Sequence, residues 1–362
     1  MKCRTAMTTA NLLIGLLVAL AILVCIVAVW QLDVTGKKGS GLGKEFTFEI
    51  DTYIDPNLIL YEESAQPIST AFAASSAVAV GPNDCLYVAG DKAIKVFSEN
   101  GSLLATMALT GKPAGAGAGK PRSLAVSDDG KVYVGMPGRV EVYDGQGNQL
   151  TSWDSLGRDA VLTSIAVSKA DVFVADAGNR IVLHYDTTGK LINRIGGRAA
   201  VPVGAPEGDE NRNVPGFVIP SPHFDLAVAK DGLLRVVNPG RRRIEAYTFN
   251  GDLEFWWGES SVAVEGFCGC CNPVNFALLP DGGFVTCEKG LVRVKVYDSE
   301  GRFAGVVAGP DQLIEAGQAR ICEFPDQCQA GAFDVAVDSK GRVFVLDTVK
   351  NLVRVFSKKK AG

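Results

Sequence analysis

The chain is 362 residues long, 47% hydrophobic, and carries a formal net charge of −4. That is enough apolar material for a large core, and it suits one domain with an appendage. A mildly acidic balance without a basic excess excludes the electrostatic footprint of a nucleic-acid binder; Arg241, Arg242 and Arg243 make the single basic cluster inside the folded part and read as a solvated turn.

In chain order, the first feature is Leu12 to Trp30, apolar throughout and without charge. Its length suits a helix across a hydrocarbon core, and Lys2 and Arg4 ahead of it favour a cytoplasmic N-terminus over residues 1–11. A cleaved signal peptide is the alternative. It lacks a small-x-small cleavage site, because Val27-Ala28-Val29 runs into Trp30, and Cys25 follows Val24 where a lipoprotein site wants a small residue. The expectation is an uncleaved single-pass anchor over 12–30, with the rest of the chain on the extracytoplasmic side, periplasmic or extracellular. Residues 31–44, rich in Gly, Lys and Ser, read as a flexible tether.

From Ala77 onward one pattern repeats. Ser164 to Gly196 shows it most plainly: SIAV, then DVFVAD, a turn at Ala177-Gly178-Asn179, the run IVLHY, a Thr-Gly turn and LINRIG. Short alternating runs separated by Gly, Asp and Asn turns make an antiparallel four-stranded sheet, with strands a to d. The pattern starts again at Ala77, Ser123, Asp225, Asn275 and Asp334. Taking Ala79, Ala125, Ala166, Ala227, Leu278 and Ala336 as equivalent, the spacings are 46, 41, 61, 51 and 58. Six four-stranded units at that period predict an all-β, six-bladed propeller over 45–362.

The repeat resembles that of the NHL family of six-bladed β-propellers, most specifically in VFVAD-AGNR at Val172 to Arg180 and VFVLD at Val343 to Asp347. The resemblance covers nearly everything after residue 75. It implies a fold and leaves the activity open, since a propeller is a platform for many. The sixth repeat ends after its third strand, so a strand from upstream is needed to cover the open edge. Glu45 to Ile50 is the expected donor, and Leu58 to Tyr61 the second choice.

The d-to-a and b-to-c connections emerge on one face of a propeller. All long connections are of the d-to-a kind: Thr110 to Arg122, Gly197 to Phe224, Glu259 to Val274 and Pro310 to Phe333. That face is expected to be the functional one and to dock a protein partner. GKPAGAGAGK within the first of these is not a phosphate loop, since Pro121 stands where Ser or Thr is needed and no helix follows.

Six cysteines, Cys268, Cys270, Cys271, Cys287, Cys322 and Cys328, map to one sector of that face. Three chemistries compete: disulfides pinning the loops, a zinc or iron-sulfur site, or a thiol redox centre at the adjacent pair Cys270-Cys271. The spacing C-x-C-C is tighter than common metal motifs, and C-x5-C is wider.

The start of each strand a lies nearest the axis. Aligning the repeats places Arg122, Thr163, Phe224, Asn275 and Phe333 at one position, and Ser123, Ser164, Asp225, Phe276 and Asp334 at the next. Arg122, His223, Asp225, Asn275 and Asp334 are therefore candidates to bind a cation such as calcium, or a polar ligand, at the channel mouth. Propellers similar to the amidating lyase hold zinc with several histidines, a set that His184 and His223 do not supply. Lactonase-like propellers use carboxylate and Asn ligands, which Asp225, Asp334 and Asn275 would imitate in a metal-dependent hydrolase. Of the pair Trp256 and Trp257, strand alternation buries one side chain and exposes the other.

The expectation is thus an extracytoplasmic binding or assembly platform held at a membrane, with a metal or thiol redox protein and a metal-dependent hydrolase as the alternatives.

Overall fold

The computed structural model describes residues 3–31, 53–64, 66–109, 119–153, 156–196, 216–314 and 332–360. The chain divides into Met1–Asp51 and Thr52–Gly362. In the first unit, helix α1 (Cys3–Gln31) covers 29 residues. The side chains described on it, 11 to 27, are exposed, and Leu12, Leu16 and Val24 are typical. Among the described residues no helix is long and apolar enough to cross a membrane. The tether after Gln31 and the strand expected at Glu45 to Ile50 lie outside the described residues.

The second unit is a six-bladed β-propeller. Two short strands, β1 (Tyr61–Glu63) and β2 (Ile68–Ser69), precede the blades. Blade 1 comprises β3 (Ser75–Val80), β4 (Leu86–Gly90), β5 (Ala93–Phe97) and β6 (Leu103–Ala108). Blade 2 is β7 (Ser123–Val126), β8 (Val132–Met136), β9 (Arg139–Tyr143) and β10 (Gln149–Ser152), and blade 3 is β11 (Leu162–Ser168), β12 (Asp171–Asp176), β13 (Ile181–Asp186) and β14 (Leu191–Gly196). Blade 4 is β15 (Leu226–Val228), β16 (Leu234–Asn238), β17 (Arg243–Tyr247) and β18 (Leu253–Trp257). Blade 5 is β19 (Asn275–Leu278), β20 (Phe284–Glu288), β21 (Arg293–Tyr297) and β22 (Phe303–Ala308), and blade 6 is β23 (Asp334–Val337), β24 (Val343–Asp347) and β25 (Leu352–Lys358). Each is an antiparallel meander in sequence order.

The core lies between the blades. Every hydrophobic cluster draws on two adjacent blades: Phe173 and Val182 of blade 3 pack with Phe224, Leu234 and Tyr247 of blade 4, and Val237 and Trp257 pack with Phe276, Phe284 and Tyr297 of blade 5. This follows from period-two alternation, which gives each blade two apolar faces to cover. The Trp pair divides as alternation requires. Trp257 is buried against Phe284 and Tyr297, while Trp256 is exposed with the Arg243 guanidinium 4.6 Å above its ring. Gly301, in the β21–β22 turn, has φ +77°, and a Cβ there would sit 2.2 Å from the Trp257 indole. Both the turn and the close approach demand glycine.

The closing strand differs from the first expectation. The outer edge of β25 is shared by β1, in register Tyr61 to Lys358, and β2, in register Ile68 to Val353. The second choice was nearer, since Tyr61 begins β1, and Leu60 N–H bonds the Val306 carbonyl at 2.9 Å on blade 5. The physical reason is an ion pair that a run of alternating residues cannot reveal: Arg354 of β25 donates from Nε to Glu63 Oε1 at 2.6 Å and from its terminal nitrogen to Oε2 at 2.5 Å. Such a bidentate, partly buried pair fixes register as well as adding energy. Deleting residues 53–64 is expected to leave the β25 edge open and to shift the purified propeller to a larger, aggregated species than the parent on size exclusion. An unchanged elution volume would show that β2 alone covers the edge.

Candidate functional site

Two adjoining cavities mark the axis. The channel, about 220 Å³, is lined by the innermost strands of all six blades and includes Ser123, Ser164, Asp225, Phe276 and Asp334. Above it, on the face that carries the d-to-a connections, opens a mouth of about 410 Å³ lined by Ser76, Arg122, Thr163, His223, Asn275 and Asp334, among others. Thr163 and Asp334 belong to both. Of the five candidates, Arg122, His223, Asn275 and Asp334 meet at the mouth, and Asp225 lies in the channel beneath.

The strand register corrects the alignment in the fifth repeat by one residue. Asn275 pairs with Cys287, as Asp334 pairs with Leu346 and Ser123 with Gly135. Asn275, and not Phe276, is therefore equivalent to Asp225, and Ala277 takes the place given to Leu278. The Asp-Gly turns that follow, Asp231-Gly232 and Asp281-Gly282, carry the same register in the sequence itself.

With that correction the same position bridges to the next blade in five of the six blades. Leu226 N–H donates to Ser164 Oγ at 3.3 Å, Phe276 N–H to Asp225 Oδ2 at 2.7 Å, and Val78 N–H to Asp334 Oδ2 at 2.8 Å. Each bond crosses from one blade to the next. Ser123 Oγ donates to the Leu162 carbonyl at 3.1 Å and Asn275 Nδ2 to the Phe333 carbonyl at 2.7 Å across two further junctions. The second oxygens of the aspartates accept from the N–H of Leu226, at 2.8 Å, and of Val335, at 2.9 Å. The carboxylates clasp neighbouring blades before anything else. Burial raises Asp225 to about 6 against its hydrogen bonds, and raises Asp334 to about 7 with the charge of Asp225 adding to the effect. Arg122, by contrast, is exposed, and its guanidinium has no partner among the described residues.

Four of the six cysteines fall among the described residues, and these four do not gather at one point. Cys268, Cys270, Cys271 and Cys287 are free thiols, and among the described residues no group of three or more His, Cys, Asp or Glu is placed to hold a metal ion. Cys322 and Cys328 lie outside the described residues. Cys287 is buried on β20, its thiol pushed well up by burial and then by the charges of Asp334 and Asp225. Cys268 is raised by burial and by the charge of Glu288. Strand alternation separates them, because Cys287 and Glu288 are consecutive on β20 and point to opposite faces. Cys270 and Cys271 stand together, with sulfurs 3.4 Å apart.

What holds the cysteine loop is an ion network that spacing did not reveal. Glu288, fully buried, accepts from the Cys268 N–H at 2.8 Å and from Arg293 Nε at 2.6 Å, and pairs with Lys295 Nζ at 3.1 Å. Lys295, also fully buried, donates to the Gly266 carbonyl at 2.5 Å and lies 4.6 Å over the Phe267 ring. Burial lowers its ammonium to about 8 despite Glu288. Asp176 and Asp347, in the same slot as Glu288, accept turn N–H groups, Asp176 from Gly178 at 3.1 Å and Asp347 from Lys350 at 2.9 Å. His184 bonds Asp171 at 2.7 Å and stacks on Phe173 inside blade 3, apart from the axis.

No family model and no curated protein matches the sequence. Solved structures do. One described as "Streptogramin B lyase structure" is 11% identical with a TM-score of 0.53, covering 83% of this chain and 98% of that one. A protein of unknown function from Bacteroides thetaiotaomicron is 15% identical at 0.53, covering 82% and 72%, and a chain from a structure of the mitotic checkpoint complex is 12% identical at 0.53, covering 86% and 98%. At such identities the likeness is one of fold, and the fold of Thr52–Gly362 is a six-bladed β-propeller.

Proposed function

We propose that this chain is a membrane-tethered, extracytoplasmic propeller of the NHL type that acts as a binding platform, docking a polar protein segment at the channel mouth. The observation that carries this reading is the arrangement of the mouth. It lies on the face from which the d-to-a connections leave the blades, and its polar lining includes Thr163, Asn275, His223 and the exposed Arg122, whose guanidinium has no partner among the described residues. The two channel carboxylates already bind backbone N–H groups of adjacent blades, which suits a rigid scaffold more than a hydrolase with open ligand positions. Tethering rests on the sequence alone, on the uncharged apolar run from Leu12 to Trp30. The fold does not choose the activity, since a lyase and a chain from a multiprotein complex are both among its neighbours.

A photo-crosslinking residue placed at Arg122 or His223 in the full chain, expressed in its own cells, tests the reading. The expected result is a discrete crosslinked species in the membrane fraction from these positions, and none from Thr188 or Glu300 on the opposite face. With the crosslinker at His223, Arg122→Glu is expected to lower the yield by about tenfold, as reversal of a mouth charge should. Equal crosslinking from both faces, or recovery of the protein in the soluble fraction, would sink it.

A further inference from the structure

We propose that Cys270 and Cys271 form a vicinal dithiol that external disulfides oxidise reversibly to a vicinal disulfide. The argument is independent of the platform reading and starts from backbone direction. Neighbouring side chains in extended chain diverge, yet here the two sulfurs are 3.4 Å apart. The turn that brings them together is fixed at both ends. Gly269, just before, has φ +84°. Asn272, just after, is buried and makes three bonds: Nδ2 to the Cys268 carbonyl at 2.6 Å, Nδ2 to the Lys289 carbonyl at 2.9 Å, and Oδ1 from the Lys289 N–H at 2.9 Å. The Cys268 N–H is in turn held by Glu288. A loop held this firmly on either side presents the pair as a preformed unit.

Exposure assigns the roles. Cys270 is exposed and Cys271 buried, so an incoming disulfide reaches Cys270 first. The Cys270 thiolate attacks one sulfur of R–S–S–R, forms a mixed disulfide and expels one thiolate, which takes up a proton. The Cys271 thiolate then attacks Cys270 Sγ, closing the Cys270–Cys271 bond and expelling the second thiolate. Two protein thiols lose two electrons and two protons, and the external disulfide leaves as two thiols. The contact with Cys271 first, and burial second, hold the Cys270 thiol above its ordinary range, so exchange should be slow at neutral pH and quicken as pH rises.

The probe is oxidised glutathione added to the purified full chain, followed by alkylation and peptide mass spectrometry. The expected product has lost two hydrogens between Cys270 and Cys271 and carries no glutathione. In Cys271→Ser the reaction stops at glutathione on Cys270, an adduct that persists about tenfold longer or more than in the parent. Cys271→Ala guards against an effect of the new hydroxyl and should behave alike. Cys268→Ser, Cys287→Ser, Cys322→Ser and Cys328→Ser leave the product unchanged. If any of those four abolishes it, or if a stable glutathione adduct forms on Cys270 in the parent, the pair is not a vicinal unit. Equally fast closure in denaturant would also overturn the proposal, because the folded loop would then contribute nothing.

Discussion

Replacing Glu288 by Gln is expected to lower the unfolding free energy of the propeller by about 3–5 kcal/mol, the range for removing one partner from a buried ion pair. The size follows from what is left behind. Arg293 and Lys295 are nearly or wholly buried, and without the carboxylate they face each other as like charges. Gly266 supplies Lys295 with one carbonyl, which is a poor substitute for an anion. The Cys268 N–H keeps an acceptor if the Gln oxygen turns toward it, so the loss is mainly electrostatic. Urea unfolding of Glu288→Gln measures the cost, and Glu288→Gln combined with Lys295→Met should recover a large part by removing one stranded charge. A loss below about 1 kcal/mol, the value of an exposed pair, would mean that water reaches the network.

The second large effect is a dependence on pH set by Asp225 and Asp334. Both are raised in the folded ring, to about 6 and about 7, from about 4 in an unfolded chain. Between those limits the folded ring holds protons that the unfolded chain has released, so stability is greatest below about pH 4 as far as these groups are concerned, and falls as pH rises toward 7. For Asp225 alone a shift of about two units corresponds to about 3 kcal/mol. Thermal unfolding at pH 5 and pH 8 should show the fall, and Asp225→Asn with Asp334→Asn should flatten it. Stability that holds level or climbs across this window in the parent would overturn the assignment. Calcium separates the two roles of the channel: if it restores the parent at pH 8 and leaves the double variant unmoved, the clasps double as ligands.

Much of the fold could be read from the residues, because a propeller repeats its grammar six times and each Gly or Asp turn confirms the last. The sector of the mouth was legible too, since the start of each inner strand must lie at the axis. What escaped was local and energetic. The one-residue slip at Asn275 arose because an apolar run, NFALL, fits the inner strand in two registers. The closing strand was sought in the most regular alternation, at Glu45 to Ile50, whereas the edge is shared by β1, with a carboxylate in reach of Arg354, and β2. For Cys268 and Cys287, sequence position gave a sector and not a direction. Consecutive residues on β20 send Cys287 and Glu288 to opposite faces, and Glu288 anchors the loop.

The closure of blade 6 also sets an order of events during synthesis. Tyr61 pairs with Lys358, so the first strand of the domain to be made finds its partner only after almost the whole chain has been translated. At ~5–20 residues per second the interval is roughly 15 to 60 seconds, during which β1 has nothing to pair with. Blades 1 to 5, whose strands neighbour one another in sequence, can form as they emerge, and the sixth waits for both ends. A strand left bare that long is exposed to other nascent chains. Tyr61-Glu62-Glu63 is short and carries two acids, a composition that resists chance pairing until Arg354 arrives to neutralise one of them.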